Sequence, residues 1–411
     1  MLENSFFLFI LCSYINLQLL FMLKKIFIVL SLLTLTGCTS NNVDNKQVEL
    51  QPIPEKNVSE NHRRLEVALL LPLSGEHAEI GNNMLQATRL ALHELKVSQV
   101  NINPIDIGSD IAHPEEILNL LDEKKYDIIV GPIFSHHTKV IYSYAYKHQI
   151  PLISFSNDIS LLNNEGLFLI GIMPDQVINR VVNYAALEGY NKLFGLLPEN
   201  RYGLYIENIL KNNAEGGNYQ VIDIARYIHS HDTALTNAQN ALTIIKAAIL
   251  KQAAVEGNNT KSFALLMPEG GEFTYEITKD MYAWAEENKI KLKFLGSPQW
   301  DNKKLVSAKH LNGAWIAAAP NLHLKNFEQR FYDNNNVEPF KISALAYDAA
   351  ALLAVLSTKD NILEALLDDG GFQGASGIFR FKKDGSNERM LSIFEIEKGE
   401  LKEIDPAGSS F

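Results

Sequence analysis

The feature that most constrains this chain is an alternation of short runs, apolar on both faces, with segments of helical periodicity. The runs are VALLLPL at 67–73, DIIVGPI at 127–133, PLISF at 151–155, LFGLL at 193–197, FALLM at 263–267, and the stretches 292–295 and 314–319. Runs this short, bounded by Gly, Pro or Asn, predict strands of a parallel sheet covered on both sides. Between them, Leu85, Thr88, Leu92 and Leu95 share one helical face, and Val177, Val181, Tyr184 and Leu187 share another. Residues 232–256 are alanine-rich and long enough for about six or seven helical turns. Such alternation predicts a doubly wound α/β architecture, and a chain of 411 residues exceeds one such sheet, so two lobes are expected. The end of the chain reads differently. GIFRFK at 377–382, a Lys383-Asp384-Gly385 turn and MLSIFEI at 390–396 predict a late β-hairpin. No internal repeat is legible.

From Met22 the chain runs MLKKIFIVLSLLTLTGCTS. A basic start, a short apolar middle and small residues before Cys38 form an export signal, too short to be read as a membrane span. The exit resembles a bacterial lipobox, in which Cys38 is acylated and becomes the first mature residue. Residues 1–21 form a second apolar run without a basic start. They are read as an upstream misreading of the true start, the other reading being one long uncleaved anchor. Residues 1–37 are therefore assigned to signal and start, and 38–64, polar with two prolines, to a flexible tether spanning roughly 25–30 Å. The two cysteines, Cys12 and Cys38, fall outside the body, which excludes disulfide and thiol chemistry from it.

A formal charge of −11 argues against a nucleic-acid partner, which needs a basic face. The stretch LPLSGEHAEIGNNMLQA at 71–87 puts Ser74 and Gly75 at a strand end before a helix. Its spacing fits neither a phosphate loop nor a dinucleotide fingerprint, so no cofactor is expected. The next strands also end on small polar residues, Ser135 after Gly131-Pro132, then Ser154 and Ser156. Together these make a floor for a carboxylate-bearing ligand, and singly each is an ordinary helix cap. His136-His137 and His229-Ser230-His231-Asp232 lack metal-ligand spacing and read as solvated loops. There is no nucleophile elbow, and Glu269 and Glu272 read as a solvated turn rather than a paired acid and base. Among Trp284, Trp300 and Trp315, Trp300 is expected to face a cleft.

The ordered segments VALLLPLSGEHAEIGNNMLQATRLAL, DIIVGPIFS, IPLISFSND, GYNKLFGLLPENRYGLYIENIL and LNGAWIAAAP resemble the type I periplasmic binding proteins, the leucine/isoleucine/valine-binding fold, from Leu65 to Ile404. The closing GASGIFRFKKDGSNERMLSIFEIEKGEL is more similar to the penicillin-binding-protein activator lipoproteins. The resemblance implies two lobes joined by a three-crossing hinge: 65–175 with 320–370, and 176–319 with 371–405. It implies a ligand carboxylate at Ser135 and at 154–156, with Tyr202 closing the cleft from the other lobe. Where amino-acid receptors place a glutamate for the ligand ammonium, this sequence has Gly296-Ser297-Pro298-Gln299-Trp300. A buried ammonium without a partner costs on the order of several kcal/mol, so amino-acid reception is weakened unless Asp301 turns inward.

The resemblance therefore implies a non-enzymatic lipoprotein held by Cys38 through its lipid, at the periplasmic face of the outer membrane because Thr39 rather than Asp follows. Its partner would be a peptidoglycan synthase. The alternative is a solute receptor that closes on a small amino-acid-like ligand and feeds an ABC transporter.

Overall fold

The computed structural model describes residues 64–108, 114–230, 233–256 and 263–411. Cys38, the signal and the tether up to residue 63 lie outside the described residues, as do His231 and Asp232. The first sheet comprises β1 (Leu65–Leu71), β2 (Val100–Asp106), β3 (Ile128–Val130), β4 (Leu152–Ser154) and β5 (Leu167–Leu169), in the order β2-β1-β3-β4-β5. Every pairing in it is parallel. Its crossovers include α1 (Ala78–Glu94), α2 (Pro114–Asp122) and α3 (Ser135–Lys147).

The second sheet holds β6 (Lys192–Pro198), β7 (Gln220–Tyr227), β8 (Phe263–Leu266), β9 (Leu292–Gly296) and β10 (Trp315–Ala318), in the order β7-β6-β8-β9-β10. These strands are parallel too, and two antiparallel strands, β14 (Ser392–Glu397) and β15 (Glu400–Asp405), extend the sheet beyond β10. The helices of this lobe include α4 (Pro174–Leu187), α5 (Arg201–Ala214), α6 (Ala234–Glu256), α7 (Glu272–Glu287) and the short α8 (Lys303–Val306). Both lobes thus share one strand order, in which the second strand lies outside the first.

Each sheet separates two cores, as the doubly apolar strands require. On β1, Val67, Leu69 and Leu71 face one core, while Ala68 and Leu70 face the other. On β6, Phe194 and Leu196 face one core, while Leu193 and Leu197 face the opposite one. The lobes also share a close approach of helix to strand. A Cβ on Gly81 of α1 would lie 2.0 Å from the Pro72 carbonyl oxygen, and one on Gly203 of α5 would lie 1.8 Å from that of Pro198. Glycine at these two points lets the helix sit against the end of the first strand.

The helical faces lie close to their expected positions but rotated. Met84, Thr88 and Ala91 are buried in α1 while Leu95 is exposed, and Val181 and Ala185 are buried in α4 while Leu187 is exposed. After β10 the chain returns to the first lobe through α9 (Asn321–Asn335), α10 (Ser343–Leu356) and α11 (Ile362–Leu366). The late hairpin differs from expectation. The Asp384-Gly385 turn joins β12 (Gly377–Phe381) to β13 (Asn387–Arg389), and with β11 (Phe372–Gly374) they make a separate three-stranded sheet.

Residues 372–389, expected in the second lobe, put Ala375, Phe379 and Phe381 into the first lobe's core. The cause is the open edge of β5. Leu169 N–H donates to the Gly385 carbonyl at 2.8 Å, and Phe381 packs on Phe168 with ring centroids 5.4 Å apart. The segment 390–396 then leaves to pair with β10.

The chain crosses between sheets three times, near 170–174, 318–321 and 389–392. The first and third crossings are tied together by buried polar groups. Asn387 Nδ2 donates to the carbonyls of Leu169 (2.8 Å) and Gly171 (2.6 Å), and Arg389 Nη2 donates to that of Ile170 (3.0 Å). Arg389 and Asp348 of α10 form an ion pair whose side chains are both wholly buried. No helix among the described residues is long and apolar enough to cross a membrane.

Candidate functional site

In sheets with this strand order, ligands sit beyond the carboxyl ends of the strands. A cavity of about 900 Å³ lies there, lined by residues that follow β4, β5, β6, β8 and β9. The first lobe gives Asn157, Asp158, Ile159 and Ser160, and the first crossing gives Ile172 and Pro174. The second lobe gives Asn200, Arg201, Tyr202 and Tyr205 of α5 and its cap, Glu269 after β8, and Ser297, Pro298 and Gln299 after β9.

Of the cleft candidates Ser74, Gly75, Ser135, Ser154, Ser156, Tyr202 and Trp300, Tyr202 lines this cavity and the other six are absent from its wall. The loop at Ser74 and Gly75 holds the protein's own anion. Asp106, at the end of β2, accepts from the N–H groups of Leu73 (2.8 Å), Ser74 (3.2 Å) and Gly108 (2.9 Å). Burial pushes its carboxyl up, but the Ser74 hydroxyl and these N–H groups outweigh burial and hold it below the usual range.

Ser154 is fully buried. Its Oγ bonds the Pro132 carbonyl at 2.9 Å and Thr138 Oγ1 at 2.8 Å, and accepts from Ser156 N–H at 3.2 Å. Ser156 Oγ in turn accepts from Asp158 N–H at 3.1 Å. These hydroxyls shape the turn that presents Asp158. Ser135 acts one step from the cavity, through a hydrogen bond from its hydroxyl to the Asp158 carboxylate. Asp158 also caps the short 3₁₀ turn Ile159–Leu161 by accepting from Ser160 N–H at 2.9 Å. Burial raises its carboxyl, yet Ser160, Ser135 and the charge of Lys139 bring it below the usual range, so it is ionised at neutral pH.

Trp300 does not face the cleft. It is fully buried in the second lobe's core, and its Nε1–H donates to the Glu269 carbonyl at 3.0 Å. Gly296 makes this possible, since a Cβ there would lie 2.3 Å from the indole ring. Asp301 does not turn inward either, for its Oδ2 lies 2.5 Å from Lys341 Nζ of the other lobe. Trp315 is a packing residue, with Nε1–H donating to Glu395 at 2.8 Å, and Trp284 is partly buried against the same core as Trp300.

The residue that sequence reasoning missed is Glu269. It reads as a solvated turn but lies on the cavity wall, where Tyr227 Oη–H donates to its Oε2 and His229 Nδ1 lies 3.0 Å from the same oxygen. Its signal was the position just past FALLM-Pro268, a strand end like those that drew attention to the serines. The carboxylate and burial together push the Tyr227 hydroxyl strongly up, burial being the larger cause. Tyr202, partly buried and near Glu269, is pushed up to about 12. Both phenols are therefore hydrogen-bond donors at any physiological pH. Asp175, at the start of α4, is also pushed up by burial, and the Tyr205 hydroxyl donates to it.

The histidines divide differently from expectation. His137 is buried within α3 rather than solvated in a loop, and His229 contacts Glu269. No group of three or more His, Cys, Asp or Glu among the described residues could hold a metal ion. The site offers hydrogen-bond donors, amides and carboxylates on facing walls, a set suited to binding.

A family model described as periplasmic binding protein matches residues 64–400. An uncharacterized protein of Rickettsia prowazekii (strain Madrid E) is 26% identical over 191 residues, 46% of this chain and 48% of that protein. A penicillin-binding protein activator LpoA of Vibrio cholerae is 22% identical over 138 residues, 33% of this chain and 23% of that protein. The chain therefore matches about half, and about a quarter, of the length of these two relatives. Among solved structures, a putative branched-chain amino acid ABC transporter protein from Rhodospirillum rubrum superimposes with a TM-score of 0.67 at 18% identity, covering 83% of this chain and 100% of that one.

Proposed function

The chain belongs to the periplasmic binding protein family, and from that premise we propose that it is a non-catalytic, extracytoplasmic binding protein whose lobes close on a small amine-bearing ligand. The observation that supports this reading is Glu269, a carboxylate on the cavity wall with donors fixed on one of its oxygens. It takes the role that the stretch 296–300 leaves vacant. A ligand ammonium then need not be buried unpaired, which would cost on the order of several kcal/mol. Tyr202 adds a phenol donor from the same lobe. In this reading the closed, loaded form is what the membrane subunits of an ABC transporter recognise.

A second reading rests on the 138 residues similar to LpoA. In it the same domain, held by a lipid on Cys38 at the periplasmic face of the outer membrane, stimulates a peptidoglycan synthase. Calorimetry of the full chain against a panel of amino acids separates the two. Binding that is lost in Glu269→Gln and weakened in Tyr202→Phe supports the receptor. An absence of binding across the panel, together with faster glycan polymerisation by a purified synthase, supports the activator and removes the first reading.

A further inference from the structure

Resting on the small-ligand reading above, the charges on the cavity wall specify what that ligand carries. Asp158 comes from the first lobe, and Glu269 and Arg201 come from the second. Asp158 receives Ser160 N–H and the Ser135 hydroxyl, and Glu269 receives Tyr227 and His229 on Oε2. A carboxylate offers about four lone-pair positions, so each keeps acceptor capacity for a further donor. Arg201 is the one lysine or arginine among the lining residues. It starts α5, whose first turn is capped by Asn200 and whose N-terminal N–H groups favour an anion. Ile159, Ile172 and Val177 supply an apolar wall to the same space.

Two carboxylates on facing lobes and one guanidinium are the complement of two ammonium groups and one carboxylate. We propose that the cleft takes a diamino monocarboxylic acid of the lysine or ornithine kind, with the α-ammonium at Glu269, the side-chain ammonium at Asp158 and the carboxylate toward Arg201. The methylene stem lies along the apolar wall. Such a ligand engages a carboxylate of each lobe, whereas a branched-chain amino acid has one ammonium and leaves Asp158 unused. Selectivity for the second amine is therefore coupled to closure of the lobes.

The test is calorimetry of the full chain with L-lysine, L-norleucine, which has the same stem without the second amine, and L-leucine. Lysine is expected to bind at least about tenfold more tightly than norleucine, since each desolvated charge pair discriminates by that order. Asp158→Asn, in which asparagine can still cap the turn, is expected to bring the lysine-to-norleucine ratio close to one. Glu269→Gln is expected to weaken every amino acid that binds. A melting temperature near that of the parent shows that each variant is folded. Norleucine or leucine binding as tightly as lysine, or a ratio unchanged by Asp158→Asn, overturns the diamino assignment and leaves the small-ligand reading in place. No binding by any of the three overturns both.

Discussion

Replacing Arg389 by Met is the most informative single change to the scaffold. Methionine keeps much of the volume but removes the charge opposite Asp348, whose carboxylate stays wholly buried with the N–H groups of Ala375 (2.5 Å) and Ser376 (3.3 Å). It also frees the Ile170 carbonyl, now bonded at 3.0 Å, and empties the place of a guanidinium 4.6 Å from the Phe379 ring. Breaking a buried pair from one side costs about 3–5 kcal/mol, because the remaining charge is uncompensated. Losing the carbonyl's partner belongs within that figure rather than on top of it. Burial pushes the Asp348 carboxyl up and the Arg389 guanidinium down, and the opposite charge of the partner works against each shift.

Urea denaturation at unchanged slope reads the loss directly. The double variant Asp348→Asn, Arg389→Met is expected to be more stable than Arg389→Met alone, since no orphaned charge remains, with a coupling above about 1 kcal/mol. A cost below about 1 kcal/mol for Arg389→Met, or strictly additive effects, would refute the view that this pair holds the crossings together.

Gly296→Ala is expected to cost about 1–3 kcal/mol by overpacking against Trp300, and to shift the Trp300 fluorescence because its Nε1–H bond to the Glu269 carbonyl is disturbed. Unchanged denaturation and emission would show that the indole can move aside. For Asp106, the carboxyl is lower in the folded protein than its ordinary 3.8, so its contribution is complete above that value and is lost as pH falls through the folded pKa. Asp106→Asn is accordingly expected to lower stability at neutral pH and to flatten the acid limb of a stability-versus-pH curve. An acid limb as steep as the parent's would assign that limb to other carboxylates.

The strands legible in the sequence are those at the centre of the sheets, because β1, β3, β4, β6, β8, β9 and β10 are apolar on both faces. The strands that escaped notice lie at edges. β2 carries Asn101, Asn103 and Pro104, and Pro104 is tolerable there because one side of the strand has no neighbour. β7, at the corresponding edge of the second sheet, interrupts its apolar residues with Gln220, Asp223 and Arg226, and β5, at the other edge of the first sheet, has only three residues.

For the site, attention to strand ends led to the rim of the sheets where the cavity lies, but to hydroxyls that are engaged away from its wall. Ser154 and Ser156 use their hydroxyls within their own turn, and Ser74 serves Asp106. Asp158 and Glu269 come to line one cavity only when two loops more than a hundred residues apart are brought together, which no local pattern encodes. The common strand order of the lobes was also invisible. It survives in backbone geometry, in the pressing of Gly81 on Pro72 and Gly203 on Pro198, and not in a shared sequence.

Two bodies joined by one strand of chain can swing, twist and slide in several independent ways. Three crossings, two of them tied together by Asn387 and Arg389, remove most of those motions and leave something close to a single opening angle. A molecule seated between the rims therefore has one coordinate to change, and a surface elsewhere on the protein has one coordinate to read. For a binding domain that reports occupancy to a partner, this turns chemical recognition into a scalar signal. A change at Arg389 would then blur that signal before it abolished binding.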